Sequence, residues 1–317
     1  QSQLLQSAGQ QSSTEEQYTS EEVVQPTDIY DSIFNSYKLV QALLENVTES
    51  QQIDLVNQEF SSFITTCENK ANSLIEEFSD LATSKNEMVD NLTIAQINDL
   101  KVVKTVIQGL CLTDINEGIE LWSQPDLPET AARYMLANDM FQTIIDRYDL
   151  GMTDQDLYWK TLTTMTNYLK KAQEILQREM NEMKKSPSQL GLGQLITQIS
   201  NLVIARADID VQRSQVNNEA GIKNRDLLIQ NAKVFLKNAM NVSKTSGGLR
   251  ERASEKLQRQ KSLLDAVIRM CILEQKTSTA ELDEIMGRDT WIRELPQLVK
   301  LGYYNPFGAS NIEIPPF

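Results

Sequence analysis

Four aspartates, Asp146, Asp149, Asp154 and Asp156, flank Gly151, and carboxylate oxygens at such short spacing are the hard ligands that calcium takes. Their order departs from an EF-hand loop, which needs alternating acids, then a glycine and a distal glutamate. Helix capping and first-turn acids account for Asp154 and Asp156 without a metal. Glu76, Glu77 and Asp80 fall within one helical turn, and paired carboxylates do acid-base work when one is buried and its pKa is raised. Phe78 and Leu81 occupy the apolar stripe there, so these acids are expected to face water. Gly191-Leu192-Gly193 is a fragment of a dinucleotide loop that lacks the preceding strand and the third glycine, and the chain has no phosphate-cradling G-x-x-x-x-G-K-[ST] loop. With 0 histidines there is no Ser-His-Asp or Cys-His pair and no imidazole metal ligand. The expectation is therefore a chain with no catalytic residue, no cofactor site and no metal site, and not an enzyme.

Composition narrows the partners. The 30 Lys+Arg and 44 Asp+Glu give a net charge of −14, the wrong sign for a nucleic-acid binder that must neutralise phosphates. The charge is uneven: residues 1–152 carry 7 basic and 25 acidic side chains, net −18, whereas residues 153–317 carry 23 basic and 19 acidic, net +4. Besides two solvated surfaces of different character, that asymmetry suits a head-to-tail attraction between copies that weakens with salt. Cys67, Cys111 and Cys271 are too few and scattered for a disulfide framework or a zinc site, and Cys67 and Cys271 fall on apolar seams as small hydrophobes. No run of apolar residues is long enough for a membrane span, so membrane contact is not the expected mode. Residues 1–26 lack Lys, Arg and an apolar core, and so do not form a signal peptide. A start at Gln1 fits a mature secreted or envelope protein, and it fits an arbitrary boundary equally well.

The elements that would position these residues are helices. Proline is absent from residues 27–124, 129–186 and 188–295, and apolar residues recur every three or four positions. Residues 1–26, rich in Gln and Ser, form a polar arm. Residues 27–152 read as an acidic N-terminal helical bundle, with seams such as Ile53, Val56, Phe60 and Phe63, and with Pro128 in the first turn of a helix ending at Gly151. Residues 153–287 read as a long helical hairpin with a third helix. Its first arm, started by Thr153, carries Tyr158, Leu162, Met165 and Leu169. Its second arm runs unbroken from Gln194 to Val242, with a sparsely apolar, solvated middle over 206–226 in which Gly221 is tolerated. The third helix follows Gly247-Gly248, with Ala253, Leu257, Leu264, Ile268 and Cys271 on one side, and Thr279 begins a short helix to Gly287. Residues 288–317 form an aromatic, proline-rich tail that packs as an extended segment or docks on a neighbour. The fold class is all-α: an elongated helical bundle with a long antiparallel coiled-coil-like hairpin.

Two segments offer contact surfaces. Ser186–Ala205 has no charged residue and sits at the tip between two long helices, presenting Leu190, Leu192, Leu195, Ile196 and Leu202. Its glutamines and Asn201 make it a poor membrane insert, and burial in the core is the simpler account. The tail presents Tyr303, Tyr304 and Phe307, the last within Asn305-Pro306-Phe307, read as an anchored turn. The favoured function is a non-enzymatic structural or assembly subunit of a larger complex, such as an envelope or secretion apparatus. It would act through helix–helix contacts with protein partners or its own copies. The competing reading is a secreted helical effector or pore former using residues 186–205. That reading predicts lipid binding that is lost when Ile196 and Leu202 are replaced by Asp.

Overall fold

Side-chain caps set the starts of several helices in the computed structural model, which describes residues 115–186, 191–244, 251–276, 278–288 and 290–304, with separate helical positions between 62 and 80 and between 97 and 109. Among the described residues nine helices have defined bounds: α1 (Ile115–Trp122), α2 (Ala131–Tyr148), α3 (Leu150–Thr153), α4 (Gln155–Lys185), α5 (Leu192–Ser214), α6 (Glu219–Lys244), α7 (Ala253–Leu273), α8 (Thr279–Met286) and α9 (Thr290–Lys300). Thr130 opens α2 by accepting from the Arg133 amide at 3.3 Å, and Ser278 opens α8 by accepting from Glu281 at 3.2 Å. Asp154, rather than Thr153, caps α4 through the Leu157 amide at 3.0 Å, and Asp156 lies in its first turn. The described residues contain no strand, and the chain is all-α as its proline spacing requires. The arm 1–26, the caps near residues 27, 48 and 93, the Ile53–Phe60 seam, Phe63, Cys67 and Cys111 lie outside the described residues.

The single helix expected over Gln194–Val242 is instead two helices folded against each other, α5 and α6, with a turn at residues 215–218. Four groups make the turn. Arg225 Nε donates to the Ser214 carbonyl at 2.9 Å and closes the end of α5. Val216 swings fully into the core. Asn218 Oδ1 accepts from the Gly221 amide at 2.8 Å and starts α6. Gly221 itself is obligatory: a Cβ at this position would fall within van der Waals contact of the Val216 carbonyl oxygen. The expected solvated middle fails over 206–216, where Ala207, Ile209, Val211 and Val216 are all interior, whereas residues 217–226 are mostly exposed.

Helix α5 is the axis of the bundle. It packs against α4, α6 and α7, and α2 lies on the far side of α4. Cross-helix bonds give the directions. Gln173 and Tyr158 of α4 meet Arg206 and Gln212 of α5, so α4 and α5 are antiparallel. Ser243 meets Ser200, so α6 is antiparallel to α5. Ser262 and Arg269 meet Asn201 and Asp208, so α7 runs parallel to α5. A helix enclosed on three sides must be apolar on three sides, which is why Leu195, Ile196, Ile199, Leu202, Val203 and Ile204 are all buried. On α7 the expected seam is right for Ile268 and Cys271, which are buried, whereas Leu257 is 68% exposed.

Hydroxyl and guanidinium groups fix how these helices seat. Ser200 Oγ and Ser243 Oγ are 2.8 Å apart, and Ser262 Oγ lies 2.8 Å from Ser200 Oγ and 2.7 Å from Asn201 Oδ1, which ties α5, α6 and α7 together at one level. Buried Arg133 donates to the carbonyls of Trp122 and Leu127 at 2.8 and 3.2 Å and so fastens the turn before α2. Helix α2 then stacks Phe141 on Tyr168 of α4, with centroids 5.5 Å apart. In an ordinary helix interior Gly→Ala stabilises by about 1 kcal/mol. Here Gly221→Ala is expected to destabilise by about 1–3 kcal/mol in denaturant unfolding, because the added methyl meets backbone that cannot yield.

Candidate functional site

Among the described residues nothing covers one face of helix α5. Gln194, Gln198 and Asn201 are exposed and Ala205 and Asp208 half-buried, and their spacing puts them in one strip along the helix. Its Asn201, Ala205 and Asp208 line a groove of about 410 Å³ whose other wall is α7, with Lys261, Ser262, Asp265 and Arg269. The walls carry donors, acceptors and charges of both signs. Ser262 donates to Asn201, leaving that amide nitrogen directed elsewhere.

The deep end of the groove is closed by an ion pair. Arg269 Nε and Nη2 reach the two Asp208 oxygens at 2.8 and 3.3 Å, and Nη1 donates to the Asp265 carbonyl at 3.1 Å. Burial pushes the Asp208 carboxyl above its ordinary range, and the facing guanidinium opposes the shift. Asp265 is also raised, chiefly by burial, with Arg269 again opposing. The ring of Tyr303 lies against Arg269, its centroid 5.8 Å from the guanidinium carbon. Burial, reinforced by the Asp208 charge, holds the Tyr303 hydroxyl well above the usual phenol range. Tyr303 is placed there by Gly302, whose carbonyl accepts from Gln215 Nε2 at 2.6 Å.

The sequence-derived contact residues fall in two places. Leu192, Leu195, Ile196 and Leu202 lie inside the bundle at 3–6% exposure, as parts of the axis helix. Replacing Ile196 and Leu202 by Asp would therefore break the core, so that substitution cannot isolate lipid contact. Tyr303 and Tyr304, both 6% exposed, lie at the C-terminal end of the described chain. Leu190 and Phe307 lie outside the described residues. No helix among the described residues is long and apolar enough to cross a membrane. Among the described residues no three Asp, Glu or Cys side chains gather as metal ligands: Asp149 and Asp154 serve the local turn, Asp146 pairs with Lys300 at 3.7 Å, and Asp156 accepts from Asn218 at 3.1 Å. Asp208, Arg269 and Ser262 had no place in the sequence reading. The signal for the groove was present as polar residues recurring at 194, 198, 201, 205 and 208 within an otherwise apolar helix, Ala205 excepted.

The ion pair carries a pH signature. A carboxyl whose pKa is higher folded than unfolded costs stability when ionised, and that cost disappears as pH falls through the folded value. Arg269→Met removes the opposing charge, so unfolding measurements should show a loss of roughly 3–5 kcal/mol at neutral pH that shrinks on acidification. Asp208→Asn in the same background should recover part of that loss.

A comparison with curated proteins found no match, and neither did a comparison with solved structures. Residues 127–296, from the turn fastened by Arg133 to Pro296 in α9, match the family described as the YNL193W C-terminal domain. That match spans the axis helix and both walls of its groove and covers more than half of the 317 residues, and the chain belongs to the YNL193W C-terminal domain family.

Proposed function

We propose that this chain is a non-enzymatic assembly subunit that works through helix–helix contacts, with its own copies as the first partner. The outer face of α6 carries the reading. Leu227 and Val234 stand seven positions apart on one side of that helix and are 60% and 56% exposed, with Lys223 and Lys237 beside them. An apolar pair edged by lysines complements the amphipathic, acidic segments of residues 1–152, whose net charge is −18. The ionisable groups of the groove support the same reading. Asp208 and Arg269 are engaged in joining α5 to α7, a structural use of charge.

A contact of this kind is part apolar and part ionic. Its apolar part resists salt, while its charge part weakens within a Debye length of about 8 Å at physiological ionic strength. Light scattering after size exclusion, at low and at physiological salt, tests it. A defined oligomer that loosens with salt is expected. The exposed substitutions Leu227→Asp and Val234→Asp should dissociate it while leaving the melting curve in place. A monomer at both salt concentrations would overturn the proposal.

A further inference from the structure

Helix α4 runs past the helix that covers it. Helix α2 lies against α4 where Tyr134 meets Tyr168, ring centroids 5.7 Å apart, and Lys171 sits over the Tyr134 ring at 5.3 Å. Helix α2 begins at Ala131, whereas α4 continues to Lys185, about 21 Å beyond Lys171 at 1.5 Å per residue. On that last stretch Ile175, Glu179, Glu182 and Met183 are spaced by threes and fours and share one face. They line a groove of about 680 Å³ together with Glu129, from the turn before α2. Ile175 and Met183 are half-buried, while Glu179 and Glu182 are exposed.

The groove is acidic with apolar patches. Among its described lining residues Arg178 is the one cation against three glutamates. Arg133 and the Tyr134 hydroxyl already donate to Glu129 at 2.8 and 2.6 Å. Glu182 pairs with Lys185 at 3.3 Å, but both side chains are about three-quarters exposed, and such a pair contributes little and is readily exchanged.

The exposed ridge of α6 has the opposite character. Leu227 and Val234 stand about 10 Å apart along the helix, and Lys223 and Lys237 lie one turn beyond them on either side. Pairing two such ridges, parallel or antiparallel, brings lysines against lysines, a like-charge contact that costs affinity. The α4 groove meets the same ridge with glutamates, and its own apolar side chains, Ile175 and Met183, stand about 12 Å apart.

We propose that the α4 groove of one molecule receives the α6 ridge of the next. This rests on the reading of α6 as a contact between copies, and it adds the surface on the other side. Leu227 and Val234 pack on the apolar part of the groove, and the lysines face the charge of Glu179 and Glu182. Each molecule spends one groove and one ridge, so the contact is heterologous and propagates as a ring or a chain.

Light scattering of the full chain at low salt tests the pairing. Glu179→Lys with Glu182→Lys should lower the mass from that of the wild-type oligomer to that of one chain. Both positions are exposed and Glu182 lies in the last turn of α4, where lysine is favoured, and melting curves establish that the variant is folded. Leu227→Asp with Val234→Asp removes the other surface. Mixed in equal amounts, the two variants should form a species of two chains and nothing larger, because one intact groove meets one intact ridge. A glutamate variant that keeps the wild-type mass would overturn the groove, and dissociation of the α6 variant would then leave the α6 contact standing with another receiver. A mixture that stays at the mass of one chain would also overturn the pairing. A wild type that is itself monomeric would remove both this contact and the reading beneath it.

Discussion

The enclosure of α5 is the constraint on which the rest of the bundle depends. Ile196, Ile199, Leu202, Val203 and Ile204 point in several directions around the helix, and one neighbouring helix could cover only a fraction of them. Burying a large aliphatic side chain is worth about 1.5–3 kcal/mol, so the helix is stable only with neighbours on several sides at once. Helices α4, α6 and α7 are those neighbours. The tight turn at residues 215–218 follows from this, because a straight continuation would have carried α6 away from the surface it must cover. Gly221 and Asn218 make that reversal geometrically possible.

A core of aliphatic side chains is permissive about sliding, and here the polar groups inside it remove that freedom. The three serines at 200, 243 and 262 meet at a single point, and a slip of one turn in any of the three helices would leave buried hydroxyls unpaired. The Asp208–Arg269 pair does the same further along α5 and α7. Such a pair adds little net stability over apolar residues of the same size, because both charges lose water. Its contribution is orientation: it sets α7 parallel to α5 at one register, and so determines which side chains border the groove.

The fold class was legible because proline-free spans and three-to-four spacing are local properties. The start of α8 at Thr279 and its end at Gly287 were legible for the same reason. The reversal between α5 and α6 was not, because Gly221 reads identically as a tolerated helix glycine and as a turn that excludes Cβ. What separates the two is a carbonyl at Val216 whose position depends on the turn already existing. The uncharged run 186–205 was correctly noticed, yet lack of charge marks a segment hidden inside its own protein as readily as one offered to another. The groove was out of reach because its walls are paired by tertiary contact: Asp208 and Arg269 are 61 positions apart, and nothing near either residue names the other.

The order of the helices also bears on how the molecule assembles itself. From α4 to α7 each helix lies against the one that precedes it, so most of the enclosure of α5 comes from pairings between chain neighbours, which close quickly and at small entropic cost. The bond from Gln215 to Gly302 is of another kind, since it joins positions 87 residues apart. During synthesis the Gln215 side of that bond emerges long before its acceptor. In a nascent chain the four main helices can therefore gather while the Asp208 end of the axis still lies open to water, until Gly302 and Tyr303 reach it.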